Sequence, residues 1–399
     1  MNTPQGEVQA PPYRWVILAL TAGCFTFTFI TRFTWPPLIP VVMPVLKMSA
    51  AQAGAFMFAF YLGYIVTQIP AGILADRFGV RFILGVSLII EGISTSLFGF
   101  ITTYDTGFAL RVIAGLGAGA VFSSCTLALM EWFPAHERGR AFGILLAAPS
   151  AGILVTNFMV PGLNALVGWT GAFHFVGLFT ITAGVLVLLF MRSAGEIKAG
   201  SKTLLGGFPV IARSSGLILT ALAGFCLMWM EIGTATWANN HLVKKLALTV
   251  PTAGYIMMIY GLGGVLAPLV SGFVSDWTGQ RKWLVILAYA VSAPLCVIFG
   301  YQTTLGGLTV LAFLMGFTSY IANPQLTVLI SQFAGVEWAA TANGTANFIF
   351  QTASMIVPLV LGFSIDWTGS STIVWWIMAI GPVVGILLML PVDPSKARA

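Results

Sequence analysis

Four charged residues lie inside long apolar stretches of this chain, where a charge needs a partner or water. Arg32, Glu91, Arg111 and Glu231 interrupt hydrophobic runs in a sequence that is 58% hydrophobic and 8% charged. A charge at the centre of a membrane helix costs about 2.5–3.5 kcal/mol on insertion scales, so it normally faces a cavity or a partner. A planar guanidinium suits a carboxylate, whereas apolar surroundings favour the protonated form of a carboxyl. These residues are therefore candidates for anion binding and proton exchange.

Each of the four also has a structural interpretation. Arg32 is followed by Trp35-Pro36-Pro37, which indicates that the helix ends there, so its side chain could instead snorkel to lipid headgroups. Arg111, in the first turn of a predicted helix, could bind substrate or only donate hydrogen bonds to the backbone. Glu231 is the predicted proton carrier because it lies one residue from the repeat equivalent of Arg32. Glu91 is the second acid, with a structural role as its alternative.

Two stripes of uncharged polar residues recur at helical spacing, and they predict one polar cavity wall in each half of the chain. Residues three or four positions apart share one face of a helix. Hydrogen bonds between helices are the alternative for these side chains. The stripes consist of Tyr61, Tyr64 and Gln68 in one segment and Asn343, Asn347 and Gln351 in another.

The elements that must position these residues are membrane-spanning helices. Soluble domains carry about 25% charged residues, so 8% cannot cover a surface that faces water. The apolar runs are too long for the alternating strands of a barrel, which leaves helices. Cutting the sequence at charges and turn residues predicts twelve spans of roughly 20 residues each. They lie near 15–38, 51–74, 82–101, 108–132, 141–164, 170–192, 216–240, 251–275, 283–301, 307–333, 340–364 and 371–391.

The distribution of basic residues predicts the topology. Most of the 18 Lys and Arg residues fall in loops on the side of both termini, whereas Lys47, Lys244 and Lys245 fall in loops on the other side. By the positive-inside rule, both termini are cytoplasmic and the chain is a multi-pass protein of the inner (plasma) membrane. The basic residues are scattered loop anchors and form no basic face, which argues against a nucleic-acid partner.

The two halves of the chain are internal repeats. The polar stretch 193–215 separates a predicted six-helix bundle at 1–192 from another at 216–399. Parallel repeats of six spans are typical of transporters that hold the substrate between two bundles. Pairs of identical residues separated by 200 positions are Gly54 and Gly254, Gly63 and Gly263, Gly72 and Gly272, Asp76 and Asp276, Gly79 and Gly279, and Arg81 and Arg281.

The segment GILADRFGVR at 72–81, with its echo GFVSDWTGQR at 272–281, concentrates turn and charged residues between two spans. Gly72 is predicted to permit close helix approach and Gly79 a tight turn. Asp76 is predicted to belong to a cytoplasmic latch that holds an outward-facing state, with a plain turn as the alternative. Because the echo has lost the first Arg, Asp76 should matter more than Asp276.

These motifs resemble those of the major facilitator superfamily. GILADRFGVR is similar to the family's loop signature through Gly72, Asp76, Arg77, Gly79 and Arg81, and the echo keeps Asp276 and Arg281. LRVIAGLGAGA (110–120) resembles its fourth-span pattern, with Arg111 in the basic position, and Asn347 also matches the family pattern.

Within the superfamily, the resemblance is to the anion:cation symporter group. YLGYIVTQIPAGILADRFG (61–79) and EWFPAHERGRAFG (131–143) are similar to two of its motifs. Arg32 stands where those proteins carry an Arg that meets the substrate carboxylate. Thr31 and Ala118 stand where acids occur in members of the group.

The resemblance implies an all-α transporter of twelve helices in two bundles that imports a small organic anion by proton symport with alternating access. A proton-coupled efflux pump is the first alternative, although only Pro149 and Gly152 of its fifth-span motif are present. A non-transporting membrane receptor is the second. No catalytic constellation or metal-ligand spacing is evident, so we expect no enzyme activity, cofactor or metal. We also expect the protein to be a monomer. The four lone cysteines are expected to be packing residues.

Overall fold

Long apolar helices make up the chain, as expected where the backbone must satisfy its own hydrogen bonds in lipid. The computed structural model describes residues 12–68, 70–192, 214–335 and 338–396, together with positions 209 and 212. Among these residues, ten helical stretches are long and apolar enough to cross a membrane. One of the ten is two helices divided at Gly168, and the shorter helix Ile373–Met389 completes a set of twelve. The predicted twelve-helix fold is confirmed.

The helices of the first half are numbered by span. Span 1 is formed by Arg14–Phe33 and Trp35–Val45, span 2 by Ala50–Gln68 and its continuation Ala71–Phe78, span 3 by Val80–Phe98, and span 4 by Tyr104–Ala118 and Val121–Trp132. Span 5 is formed by Ala135–Leu146 and the part of Ala148–Phe190 that precedes Gly168, and span 6 by the part that follows it.

The second half repeats this order. Span 7 is Ser215–Lys244, span 8 is Val250–Thr278, span 9 is Arg281–Tyr301, span 10 is Leu305–Tyr320 and Asn323–Ala334, span 11 is Ala339–Thr368, and span 12 is Ile373–Met389. A short 3₁₀ turn follows at Pro394–Lys396. Of the predicted linker 193–215, only positions 209, 212, 214 and 215 are among the described residues, and Ser214 caps span 7 while Ser215 begins it.

Two sequence-based helix boundaries were wrong. The first span does not end at Trp35, because Pro36 and Pro37 occupy the first turn of the helix Trp35–Val45, where a proline needs no amide hydrogen bond. Arg32 therefore lies well inside the span. The fourth span begins at Tyr104, so Arg111 lies about two turns inside it and not in its first turn.

Equivalent glycines pack equivalent helices in the two bundles. A Cβ added to Gly115 of span 4 would lie 1.9 Å from the carbonyl oxygen of Phe60 in span 2. A Cβ on Gly316 of span 10 would lie 1.9 Å from the carbonyl oxygen of Tyr260 in span 8. Phe60 and Tyr260 are separated by 200 positions. The repeat found in the sequence is thus a repeat of backbone contacts that only glycine permits.

The two bundles meet where spans 2 and 11 cross and where spans 5 and 8 cross. With twelve spans both termini lie at one end of the protein, the terminal end, and the opposite end is called the far end. Near the far end, a Cβ on Gly54 would lie 2.2 Å from the carbonyl oxygen of Pro358, and one on Gly254 would lie 2.5 Å from Pro161. The bundles are therefore in backbone contact at the far end.

Candidate substrate-binding site

Arg32 lies in an aromatic cage at the middle of the first bundle. Its side chain is 1% exposed. Its guanidinium carbon lies 4.5 Å from the ring centre of Phe29 and 4.8 Å from that of Tyr64. The rings of Phe60 and Tyr61 are each 5.1 Å away. Cation–π contacts of this kind contribute about 0.5–2 kcal/mol each and partly replace the lost hydration.

The guanidinium of Arg32 is nevertheless incompletely satisfied. Its Nε and Nη2 atoms are buried and have no hydrogen-bond partner in the described part of the chain. Buried donors are nearly always hydrogen-bonded, and an unpaired buried charge is strongly unfavourable. The snorkelling alternative does not fit these contacts, because the guanidinium is buried among the aromatic rings. These two donors thus form no hydrogen bond of normal geometry among the described residues, although the Tyr61 and Tyr64 hydroxyls lie close to the guanidinium.

Arg111 and Glu91 are two further buried charged residues close to Arg32 in the first bundle. Arg111 is 2% exposed and donates from Nη2 to the backbone oxygen of Arg32 at 3.3 Å. Glu91 is fully buried; it accepts a hydrogen bond from the Thr28 hydroxyl at 3.0 Å and another from the Thr31 hydroxyl. Its carboxyl lies close enough to Arg32 and Arg111 for the charges to interact. Glu91 thus lies beside two cations of like charge and offsets their repulsion.

The two polar stripes face one another across the bundle interface. The side chain of Tyr64 in span 2 interacts with Asn347 in span 11. The hydroxyl of Tyr61 is buried and lies near Ser354 of span 11. It forms no hydrogen bond of normal length and angle among the described residues. The site is therefore bounded by both halves of the chain at the level of Arg32.

The remaining stripe residues contribute less to this group. Gln68 is 8% exposed, and its Oε1 atom is without a partner in the described ranges. Asn343 donates to the Ser331 hydroxyl at 2.7 Å and to the Ala339 carbonyl at 2.9 Å, both within the second bundle. Gln351 is half-buried in span 11. Gln68 and Asn343 lie one turn from Tyr64 and Asn347 toward the terminal end.

The second bundle contains its own buried acid. Glu231 is 2% exposed and accepts a hydrogen bond of 2.8 Å from the side-chain amide of Asn323. Asn323 opens the second helix of span 10, after the interruption at Ile321 and Ala322. The backbone oxygen of Ile321 is not free for a ligand, because the Ser271 hydroxyl donates to it at 2.6 Å.

Aromatic side chains lie between Glu231 of the second bundle and the Arg32 cage of the first. Tyr260 and Tyr320 have ring centres 6.2 Å apart, and both lie within electrostatic range of Glu231. Tyr320 is also close to Tyr61 of the first bundle. The sequence-based analysis missed Phe29, Phe60 and Tyr320 because aromatic residues are common throughout the chain. The spacing of Thr28 and Thr31 could have indicated a pair of hydroxyls on one helix face.

The predicted cytoplasmic motif lies at the terminal end. Gly79 has φ of 81° and joins span 2 to span 3. The expected close helix approach at Gly72 is wrong for the described part of the chain, where no atom lies within 4 Å of the position of its Cβ. The side chain of Asp76 lies outside the described residues.

The described charged side chains of the motif and its echo each have a contact within their own bundle. Arg77 is exposed and lies over the ring of Phe78 at 5.4 Å, and Arg81 donates to the Leu188 carbonyl. Asp276 pairs with Arg281 of the same loop at 3.6 Å.

The arrangement suits reversible binding of an anion with a proton-exchanging acid nearby. A caged arginine provides a positive centre with incompletely satisfied donors, and hydroxyl and amide groups from both bundles surround it. All four cysteines are buried and free. In the described ranges, no three His, Cys, Asp or Glu side chains are grouped so as to hold a metal ion.

Comparison with known proteins identifies relatives along nearly the whole chain. The sequence profile of the Major Facilitator Superfamily matches residues 21–358 and 220–399. A probable sulfoacetate transporter of Cupriavidus necator is 25% identical over 96% of this chain and 94% of its own length. A probable L-galactonate transporter of Escherichia coli is 26% identical over 82% of this chain and 77% of its own.

The fold is also found among solved structures. An inward-facing, unoccupied bacterial homologue of the human lysosomal transporter Spinster superposes with a TM-score of 0.85. It is 15% identical, and the match covers 97% of this chain and 99% of that one. At this identity the likeness concerns the fold.

Proposed function

This chain belongs to the major facilitator superfamily, and from that premise we propose that it imports a small organic anion, a carboxylate, together with a proton. The observation that carries the proposal is the caged Arg32, with two unpartnered donors at the bundle interface. Planar guanidinium groups bind carboxylates with two parallel hydrogen bonds, which a lysine cannot reproduce. The names of the relatives agree with this class, since sulfoacetate and L-galactonate are small organic anions.

The substrate would bind between the two polar stripes. Arg32 would hold the carboxylate, with Arg111 increasing the positive potential. Tyr61, Tyr64 and Asn347 would contact the remainder of the molecule. Gln68, Asn343 and Gln351 would line the path from this position toward the terminal end.

Glu231 is the proposed proton carrier. It is buried in apolar surroundings, and a single amide donor, Asn323, contacts it. Asn323 is itself half-buried, so the carboxyl of Glu231 lies one side chain away from a less buried position. Glu91, with two hydroxyl donors and two nearby cations, is the second candidate. In proton symport, the acid is neutral when the substrate is carried and releases its proton on the cytoplasmic side.

Transport would proceed by alternating access, with the two bundles rocking about the site. The positive-inside rule assigns the terminal end to the cytoplasm of an inner-membrane protein and the far end to the outside. The contacts at Gly54 and Gly254 then correspond to a closed outer side. We propose that the transporter acts as a monomer, since each chain contains both halves of the site.

A ligand screen on the purified protein tests this proposal. Stabilisation of the folded protein by carboxylates, and not by neutral sugars or hydrophobic cations, is expected in a thermal-shift assay. The shift should vanish in Arg32→Ala and be much smaller in Arg32→Lys, which keeps the charge but loses the planar fork. Stabilisation by hydrophobic cations would favour efflux of lipophilic compounds instead. Binding without uptake in liposomes would favour a receptor.

A further inference from the structure

The far end of span 11 contacts the first turn of span 2 through one carboxylate. Asp366 accepts hydrogen bonds from the backbone amides of Ala50 at 2.9 Å and Ala51 at 2.7 Å, one on each carboxylate oxygen. One turn earlier, a Cβ on Gly362 would lie 2.4 Å from the carbonyl oxygen of Ala50. The two backbones are therefore in direct contact at this crossing.

This contact completes the hydrogen bonding of a helix N-terminus. The first four amides of an α-helix have no partner within the helix. In span 2, the amide of Ser49 donates to the side-chain oxygen of Gln52 at 3.0 Å, and the Ser49 hydroxyl accepts from the amide of Gln52 at 3.2 Å. The two amides that remain, those of Ala50 and Ala51, donate to Asp366 of the other bundle. When the bundles separate at the far end, these two amides lose their protein acceptor and are left to water.

The same contact also stabilises the negative charge of Asp366 itself. It lies in the last turn of span 11, where the negative end of the helix dipole disfavours an acidic side chain. The positive end of span 2 supplies the opposite field. Separating the bundles at the far end removes a favourable partner from both helices at once.

The other crossing of the two bundles has no equivalent clamp. Span 8 begins with Val250 and Pro251, and a proline has no amide to satisfy, while the Thr249 hydroxyl accepts from Thr252 at 3.3 Å. By the match of GWTG at 168–171 with DWTG at 366–369, the counterpart of Asp366 is Gly168, which has no side chain. The first-half copy therefore needs no carboxylate and has none.

Between spans 5 and 7, a further polar contact crosses the interface, and it involves no charge. The side-chain amide of Asn239 in span 7 donates to the amide oxygen of Asn157 in span 5 at 2.9 Å. Both residues are buried. Asp366 is thus the charged member of the far-end contacts, and the one that binds backbone directly.

We propose that Asp366 is a positioning residue of the transport cycle, whose carboxylate holds the far end closed by capping span 2 from the opposite bundle. Its removal shifts the protein toward the state that is open at the far end. The inference rests on the proposed alternating access, but it does not depend on which anion is carried.

Distances between spin labels on the two bundles test the proposal directly. Thr102 and Thr303 are exposed loop residues at the far end of the first and second bundle, and Arg140 and Gln280 are exposed at the terminal end. Each pair is replaced by cysteines and labelled, since the native cysteines are buried. In Asp366→Ala, the Thr102–Thr303 pair should gain a longer distance and the Arg140–Gln280 pair a shorter one. Loss of a helix cap predicts a change of roughly tenfold in the ratio of the two populations.

Two further variants distinguish a positioning role from a structural one. Asp366→Asn keeps one acceptor oxygen and should restore part of the wild-type distribution. Asp105→Ala removes another exposed far-end carboxylate, one that lies in the first turn of span 4, and should leave both distances unchanged. Unchanged distances in Asp366→Ala, or equal shifts in Asp105→Ala, would overturn the proposal. Since no substrate is added, such a failure leaves the proposed anion binding untouched.

Discussion

The side chains around Arg32 form a charge arrangement in which each member affects the others. Arg32 and Arg111 are both buried, and Glu91 lies beside them with hydroxyl donors on both of its oxygens. A bound carboxylate would add a second negative charge to this group. Charge balance therefore links the stability of the empty site to its affinity for the anion.

Replacing Glu91 by Gln should destabilise the empty protein and strengthen its response to an anion. Loss of the carboxylate leaves two buried guanidinium groups without compensation, which we expect to cost about 3–5 kcal/mol of stability. A bound anion then relieves the repulsion. The melting temperature should fall without ligand, and the increase on adding the best carboxylate should exceed that of the wild type. A smaller increase than in the wild type would contradict this account.

Replacing Glu231 by Gln should uncouple transport from protons. A glutamine keeps the hydrogen bond with Asn323 but carries no exchangeable proton. In liposomes, accumulation driven by an inward proton gradient should be lost, while exchange of labelled for unlabelled substrate should continue. Asp105→Asn, which removes an exposed carboxylate outside the site, serves as the control and should retain gradient-driven uptake. Glu91→Gln should also retain it, and its loss there would favour the second candidate. Accumulation that survives in Glu231→Gln would refute the assignment.

The candidate residues could be found from the sequence more readily than their partners. A charge in an apolar run is conspicuous whatever the fold, and this identified Arg32, Glu91, Arg111 and Glu231. The cage around Arg32 could not be predicted in the same way, because Phe29 and Phe60 resemble many other aromatic residues in the chain. Their role depends on the relative rotation of spans 1 and 2.

At the scale of helices, the glycines form two groups. Some lie directly against the backbone of a neighbouring span, and others do not. Gly115 and Gly316 have a backbone carbonyl of a neighbouring span within 1.9 Å of the position of a Cβ, whereas Gly72 and Gly272 have no atom within 4 Å. All four lie in helices. Gly115 and Gly119 have the GxxxG spacing that is typical of closely packed membrane helices, whereas no such spacing includes Gly72.

Alanine substitutions should separate these two groups. Gly115→Ala and Gly316→Ala force spans apart and should destabilise the protein by about 1–3 kcal/mol. Gly72→Ala and Gly272→Ala should be neutral or slightly stabilising, because alanine favours the helix. Thermal unfolding in detergent measures both. A loss of stability at Gly72 comparable with that at Gly115 would show that the helix contacts are wrong.

Helix boundaries were predicted less well than helix existence. The pair Pro36 and Pro37 predicts the end of span 1, although prolines are equally compatible with the first turn of a new helix. A local sequence cannot distinguish the two, since the outcome depends on whether the chain is still within the membrane. The result moved Arg32 from the edge of its span to the interior.

For the whole molecule, the sequence repeat predicted two bundles but not how they contact each other. The contacts of Gly54 with Pro358 and of Asp366 with span 2 join residues more than 300 positions apart. Hydrophobic periodicity contains no information on such pairs, since it reports only which face of each helix is buried. The Asp366 contact was found only from the coordinates.

The cytoplasmic motif should act in the opposite sense to Asp366. Asp76→Ala should shorten the Thr102–Thr303 distance or leave it short and lengthen the Arg140–Gln280 distance, because the predicted latch holds the terminal end closed. The effect of Asp276→Ala should be smaller, since Asp276 pairs within its own loop. Equal effects of the two substitutions would refute this asymmetry.

Uptake into liposomes tests the central claim most directly, namely that Arg32 binds the anion that the protein transports. Purified wild-type protein and Arg32→Ala are reconstituted and given labelled L-galactonate or sulfoacetate with an inward proton gradient. The wild type should accumulate at least one such anion saturably, and Arg32→Ala should require about 10–100-fold more substrate, as loss of a charged hydrogen bond predicts. Saturable uptake that is the same in both proteins would contradict the account.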